Sequence, residues 1–134
     1  MLIVSVVLCA WSPGVAQPPA GDQPQFKRLT ADELKAMIDG QEKMLLLDVR
    51  EPQELEKLGA LKGFVNIPLG QVGKRLGEVP KGTLIVSVCN RAVHAASAAG
   101  ILHKNGHTQL RTFAMNDWTE KGYQVIYPKA EEKK

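Results

Sequence analysis

One cysteine in this chain stands where a reactive thiol is expected. Cys89 follows the apolar run Thr83-Leu-Ile-Val-Ser-Val88 and precedes Asn90-Arg-Ala-Val-His94 and an alanine-rich stretch. That order reads as a strand, a tight loop and a helix. In open parallel α/β sheets, ligands bind beyond the carboxyl ends of strands. The first amides of a helix have no intrahelical partner, and a tight loop that turns several N–H groups inward makes an anion cradle. The chemistry this allows is nucleophilic. The thiolate is the reactive form, and an ordinary free thiol is only about 3% ionised at pH 7. Amides from Asn90 to Ala95 would favour the anion, and could hold a persulfide anion once a sulfur atom had been accepted. The residues alone leave a second reading open, a small hydrophobe buried at a strand end.

Other side chains compete for a role. Arg91 is a permanent planar cation suited to gripping an oxyanion, whereas an imidazole such as that of His94 is cationic only in part near neutral pH. His103 and His107 have the spacing of two metal ligands on one helix face, but Gly106 between them is expected to end the helix, so no metal site is expected. Trp118 is expected to pack under the loop that precedes it. Lys74 and Arg75 could add positive potential near the pocket, although a solvated surface is the plainer account.

Elements must position these groups. Thr30-Ala-Asp-Glu33 is a capping box, and Leu34, Met37 and Ile38 continue the helix to Gly40. Met44 to Val49 is an apolar run of strand length, suited to burial on both faces of a parallel sheet. Pro52 to Leu58 reads as a short helix, Phe64 to Ile67 as a strand, and Gln71 to Leu76 as a helical turn or two. Thr83 to Val88 is the strongest strand. A helix from about His94 to Lys104 ends at Asn105-Gly106, Thr108 to Arg111 is a last strand, and Asn116 to Lys121 a short helix. Helices alternate with apolar strands, which predicts an α/β domain whose parallel sheet is covered on both faces.

The 134 residues suit one domain, and a chain of this size buries roughly two-thirds of its unfolded surface without a disulfide or metal staple. With 44% hydrophobic and 23% charged residues it is neither disordered nor coiled-coil in composition. The net charge of +3 is scattered, and the tail Lys129 to Lys134 also holds Glu131 and Glu132, so no nucleic-acid partner is expected. The first charged residue is Asp22. The apolar run Met1 to Trp11 is shorter than the ~20 residues a membrane span needs. It fits the core of a secretory signal, with Gly14 and Ala16 before a cut near Gln17, although no Lys or Arg precedes it. Residues 1–16 are therefore expected to be a signal peptide, 17–25 a linker, 26–128 the domain and 129–134 a charged tail. A buried N-terminal strand is the competing reading. Export would remove Cys9 and leave Cys89 without a disulfide partner, in a protein with no membrane attachment once the leader is gone.

Four segments, in order, resemble the single-domain rhodaneses, thiosulfate-type sulfurtransferases. They are Leu46-Leu-Asp-Val-Arg-Glu-Pro52, Gly63-Phe-Val-Asn-Ile-Pro-Leu69, Leu84-Ile-Val-Ser-Val-Cys89, and Met115-Asn-Asp-Trp118 through Gly122. The similarity runs from about Gln25 to Tyr127 and is closest to periplasmic members. It implies a five-stranded parallel sheet flanked by helices on both faces, and a cysteine that cycles through a persulfide. It implies no metal or organic cofactor. The donor would be a small sulfur-containing anion such as thiosulfate or polysulfide, and the acceptor cyanide or a thiol. The resemblance also gives Asp48 the role of bracing the active loop by hydrogen bonds, and Arg50 that of a structural ion pair. Where the family loop reads Cys, two residues, Gly, one residue, Arg, then Ser or Thr, this chain has Ala92, His94 and Ala95. Ala60-Leu61-Lys62-Gly63 likewise replaces the usual His-Ile/Val-Pro-Gly. These departures motivate an alternative, a catalytically weak module that binds a partner or carries sulfide. Cysteine-dependent phosphatase chemistry is disfavoured, because it wants Arg six residues after the cysteine, where Ala95 stands.

Overall fold

The computed structural model describes residues 25–129. The expected signal peptide, all but the last residue of the expected linker, and the tail beyond Lys129 lie outside the described residues. Five strands form one sheet in the order β1-β5-β4-β2-β3, every pair parallel. They are β1 (Lys27–Arg28), β2 (Met44–Asp48), β3 (Val65–Asn66), β4 (Leu84–Cys89) and β5 (Leu110–Ala114). The helices are α1 (Ala31–Asp39), α2 (Pro52–Leu58), α3 (Leu69–Val72), α4 (Val93–Lys104) and α5 (Met115–Glu120), with a 3-10 turn at Leu76–Glu78.

Strand alternation sorts the core into two layers. Leu47, Val49, Ile85 and Cys89 join Val72 of α3 and the alanines of α4 on one face. Leu46, Val86, Val88 and Phe113 join Leu34 of α1 and Trp118 of α5 on the other. This is the expected α/β sandwich, with β4 at its centre. Its long neighbours β2 and β5 flank β4 in register, Asp48 opposite Val88 and Cys89 opposite Ala114. The carboxyl ends of these strands therefore lie together, and the chain leaves all three on the same side.

The capping box of α1 is present: Thr30 Oγ1 accepts from the Glu33 amide at 3.1 Å, and Glu33 returns a bond to the Thr30 amide at 3.2 Å. Gly40 ends that helix with an ordinary negative φ, and Gln41 takes the left-handed turn at φ 53°. Several boundaries move. The central strand runs one residue further, so Cys89 belongs to the ladder. α4 starts at Val93 rather than His94. The last strand shifts from Thr108–Arg111 to Leu110–Ala114, because Phe113 and Ala114 are fully buried beside β4. The helical segment read over 71–76 splits into α3 and the 3-10 turn. β1 pairs through its backbone at the sheet edge while both its side chains are exposed, so no apolar pattern announces it.

Candidate active site

Cys89 ends β4 with 3% of its surface exposed, and its Sγ accepts a hydrogen bond from the Ala95 amide at 3.3 Å. Ala95 lies in the first turn of α4, so the positive end of a 12-residue helix faces the sulfur. The amides of Arg91, Val93 and His94 have no hydrogen-bond partner among the described residues. The loop closes tightly because Ala92 sits at φ 71°, ψ −5°, the left-handed region. That conformation costs a non-glycine residue about 1–2 kcal/mol. Its carbonyl then accepts from Ala96 at 3.0 Å, which begins the helix. Ala92 thus adopts the backbone a glycine would favour, at the position where the resemblance places one.

The sulfur opens onto a cavity of about 240 Å3 lined by Arg50, Glu54, Cys89, Asn90, Arg91, Val93 and His94. Arg91, Val93 and His94 are exposed at its mouth, whereas Ala95 is fully buried beneath. All the expected loop residues are therefore brought together, with Ala92 and Ala95 contributing backbone and packing rather than cavity wall.

Arg50 and Asp48 divide the supporting work differently from expectation. Their ion pair is buried: Nη2 reaches Asp48 Oδ2 at 2.7 Å and Nε reaches Oδ1 at 2.9 Å, with the side chains 2% and 1% exposed. Asp48 also accepts from the Arg50 amide at 3.1 Å, and among the described residues its carboxylate makes no hydrogen bond to the active loop. Arg50 does, donating from Nη1 to Asn90 Oδ1 at 3.0 Å. The brace is therefore Arg50, oriented by Asp48, because both carboxylate oxygens are consumed by the guanidinium. Arg50 Nη2 also donates to the Gly59 carbonyl at 2.8 Å. Gly59 needs to be glycine there: its φ is 84°, and an added Cβ would lie 2.7 Å from Val125.

Two contributors were not singled out from sequence. Glu54 in the first turn of α2 accepts from the Glu51 amide at 2.9 Å and from Asn90 Nδ2 at 3.2 Å. Asn90 is thus held between a guanidinium and a carboxylate, and its own carbonyl accepts from Asn116 at 3.1 Å. The available signal was the pattern Glu51-Pro-Gln-Glu54, a helix start whose third residue caps backwards. Asn66 donates to the carbonyls of Asp48 at 2.9 Å and Arg50 at 2.8 Å, and so fixes the strand end from which Arg50 projects.

The remaining candidates sit elsewhere. Arg75 is taken up by Glu78, with bonds of 2.6 and 2.8 Å that push the guanidinium pKa up and the carboxyl pKa down, and neither Arg75 nor Lys74 lines the cavity. His103 is exposed and meets Phe26 edge-on, while His107 is buried with its ring nitrogens 3.1 and 2.9 Å from the carbonyls of Leu102 and Val79. Trp118 does not pack under the loop before it. It packs across the opposite face against Phe113 and Tyr123, and its indole N–H donates to the Gln124 carbonyl at 3.0 Å, because α5 covers that layer.

The cysteine at the end of the central strand, facing a helix start, lies inside the span that a family model matches. The model of the rhodanese-like domain matches residues 30–121, and the chain belongs to that family. Two relatives carry sulfur-handling names. The "Putative sulfur carrier protein YrkF" of Bacillus subtilis (strain 168) is 34% identical over 95 residues, covering 69% of this chain and 51% of that protein, so the match spans about half of the relative's length. A protein of Allochromatium vinosum named sulfurtransferase is 22% identical over 102 residues, covering 75% of this chain and 94% of that protein. The crystal structure of a rhodanese-related protein from Thermoplasma volcanium shares the fold, with a TM-score of 0.68, 24% identity, and coverage of 77% of this chain and 100% of that one.

Proposed function

We propose that this protein is a sulfurtransferase of the thiosulfate:cyanide type that works through a persulfide on Cys89, and that it is exported to the periplasm. One observation carries the catalytic reading: the Cys89 sulfur lies at the floor of a cavity and is already hydrogen-bonded by the Ala95 amide at the start of α4. An anionic sulfur there meets the positive end of the helix. The thiolate attacks the outer sulfur of a donor such as thiosulfate or polysulfide, and the new S–S bond forms as sulfite or the shortened polysulfide leaves with the electron pair. The persulfide's outer sulfur then passes to cyanide or a thiolate, and the Cys89 thiolate is restored. No metal or cofactor enters these steps. Export rests on the apolar Met1–Trp11 run and the small residues after it.

The test is intact-mass measurement after incubation with thiosulfate or polysulfide. The mature protein gains the mass of one sulfur atom, cyanide or a thiol removes it, and Cys89→Ser gains nothing. An unchanged mass with every donor overturns the reading. A second reading is favoured by His94, exposed where the resemblance expects Arg, and by Ala92 in place of Gly. It is a catalytically weak module that binds a partner or carries sulfide, and it predicts little or no turnover in the same assay.

A further inference from the structure

We propose that the protein carries a second binding site, on the sheet face opposite Cys89, that takes a small aryl monocarboxylate. It is the cavity of about 430 Å3 lined by α1, α5 and the chain segments that follow α2 and α5. It shares no lining residue with the Cys89 cavity. Leu61 and Trp118 in its floor belong to the layer with Phe113, whereas Cys89 belongs to the other. Its volume falls within the range of small-ligand pockets, about 300–1,000 Å3.

The floor suits an apolar, aromatic body. Ile38, Leu61, Trp118, Tyr123 and Ile126 supply it, and Ile126 keeps 36% of its surface exposed. The polar atoms of the two rings are already committed. The Trp118 indole N–H donates to the Gln124 carbonyl at 3.0 Å, and the Tyr123 hydroxyl donates to Asp32. The rings therefore offer surface and no free donor. They meet at 65° with centroids 5.0 Å apart, an edge-to-face pair that a third flat ring extends better than an acyl chain does.

Charge fixes the other end of the ligand. Lys35 Nζ lies 2.8 Å from Asp39 Oδ2 and 5.5 Å from the Tyr123 ring centroid, so its charge is taken up within the cavity wall. Lys62, exposed at the same cavity, has no hydrogen bond or ion pair among the described residues. Lys35 and Lys62 against Asp39 leave one positive charge in excess, which one carboxylate matches. The Gln124 carboxamide, also without a partner among the described residues, adds a neutral donor. An uncharged aryl compound leaves Lys62 unmatched, and a dianion exceeds the charge available.

Titration of the full chain with 2-naphthoate, read from the Trp118 indole signal in proton–nitrogen correlation spectra, tests this. Trp118→Phe identifies that signal. It shifts and saturates, and 2-naphthoate binds about fivefold more tightly than the uncharged 2-naphthylmethanol. Lys62→Gln, at an exposed position that does not threaten folding, removes that advantage. Asp39→Asn releases Lys35 and tightens naphthoate binding at least twofold. Excess thiosulfate at matched ionic strength does not displace the naphthoate. The proposal is overturned by the absence of a saturable shift, by equal binding of the acid and the alcohol, or by a Lys62→Gln variant that binds as the wild type does. It is also overturned if Asp39→Asn binds no tighter, or if thiosulfate displaces the ligand. An indole signal that shifts on dilution of the protein alone overturns it too, since a second copy of the chain then occupies the cavity.

Discussion

On the α3/α4 side of the sheet, α4 presents Ala95, Ala98 and Ala99, all fully buried, to a surface that includes Ile85 and Cys89. On the α1/α5 side, Phe113, Trp118 and Tyr123 form an edge-to-face series with ring centroids 6.1 and 5.0 Å apart. The contrast has a chemical reason. Small side chains let a helix approach a sheet closely, and close approach is what brings the Ala95 amide to the Cys89 sulfur. Ser87, two residues before Cys89 in the central strand, is fully buried, and its hydroxyl has no partner among the described residues. The reactive side thus packs small side chains where α4 meets β4 and leaves a polar atom unsatisfied, while aromatic rings fill the opposite layer. Small side chains and aromatic rings are assigned to different faces.

The bluntest way to break that division is Phe113→Ala. Phe113 is fully buried and touches Trp118. Removing it leaves a ring-sized cavity and is expected to cost about 3–5 kcal/mol, a large share of the stability of any small domain. Urea unfolding measures this directly. A loss under 1 kcal/mol would show that the aromatic layer does not hold the fold.

A smaller and opposite effect is expected on the reactive side. Ala92 pays for its left-handed backbone, and glycine would not. Ala92→Gly should therefore stabilise the folded chain by about 1 kcal/mol, after allowing for glycine's freedom in the unfolded state. The urea midpoint should rise with an unchanged m-value. A fall in the midpoint would mean that the loop's curl is not strained.

The two faces also differ in how far the sequence foretold them. The apolar runs of β2 and β4, the Thr30 capping box and the Pro52–Leu58 helix are local patterns, and each appears where its residues predict. Cys89 and its loop were legible for the same reason, since a strand, a tight loop and an alanine helix follow one another without a break. β1 was not legible, because Lys27 and Arg28 pair only through their backbone at an exposed edge. Nor was Glu54, whose bond to Asn90 joins residues 36 apart and depends on how α2 docks. The division of labour between Asp48 and Arg50 was hidden too, because type and spacing do not show where a guanidinium points. Trp118 was placed against the wrong neighbours because α5, not the loop before it, decides which layer the indole enters.

The subtlest test of the comparison concerns how the aromatic face is closed at its rim. Asp32 in the first turn of α1 accepts from the Tyr123 hydroxyl and lies 3.3 Å from Lys121 Nζ, joining residues 89 and 91 positions apart. The Tyr123 bond first, and Lys121 second, hold the Asp32 carboxyl below its ordinary value of 3.8. The same bond holds the Tyr123 phenol above 10.0. A carboxyl whose folded pKa is depressed contributes stability that is present above its unfolded pKa and lost as pH falls through the folded one. The phenol behaves in the mirrored way, its contribution being present below 10.0 and lost as pH rises through its folded value. Asp32→Asn should therefore lower Tm slightly at neutral pH, and the gap from wild type should begin to narrow below about pH 4 and shrink further as pH falls. The exposed pair on the other side, Arg75–Glu78, spans only three residues and clips one local turn, so Glu78→Gln should lower Tm less than Asp32→Asn does. Melting curves of wild type and Asp32→Asn between pH 3 and 7 make the measurement. A gap that stays constant across that range would mean that the Asp32 charge does no work in closing the aromatic face.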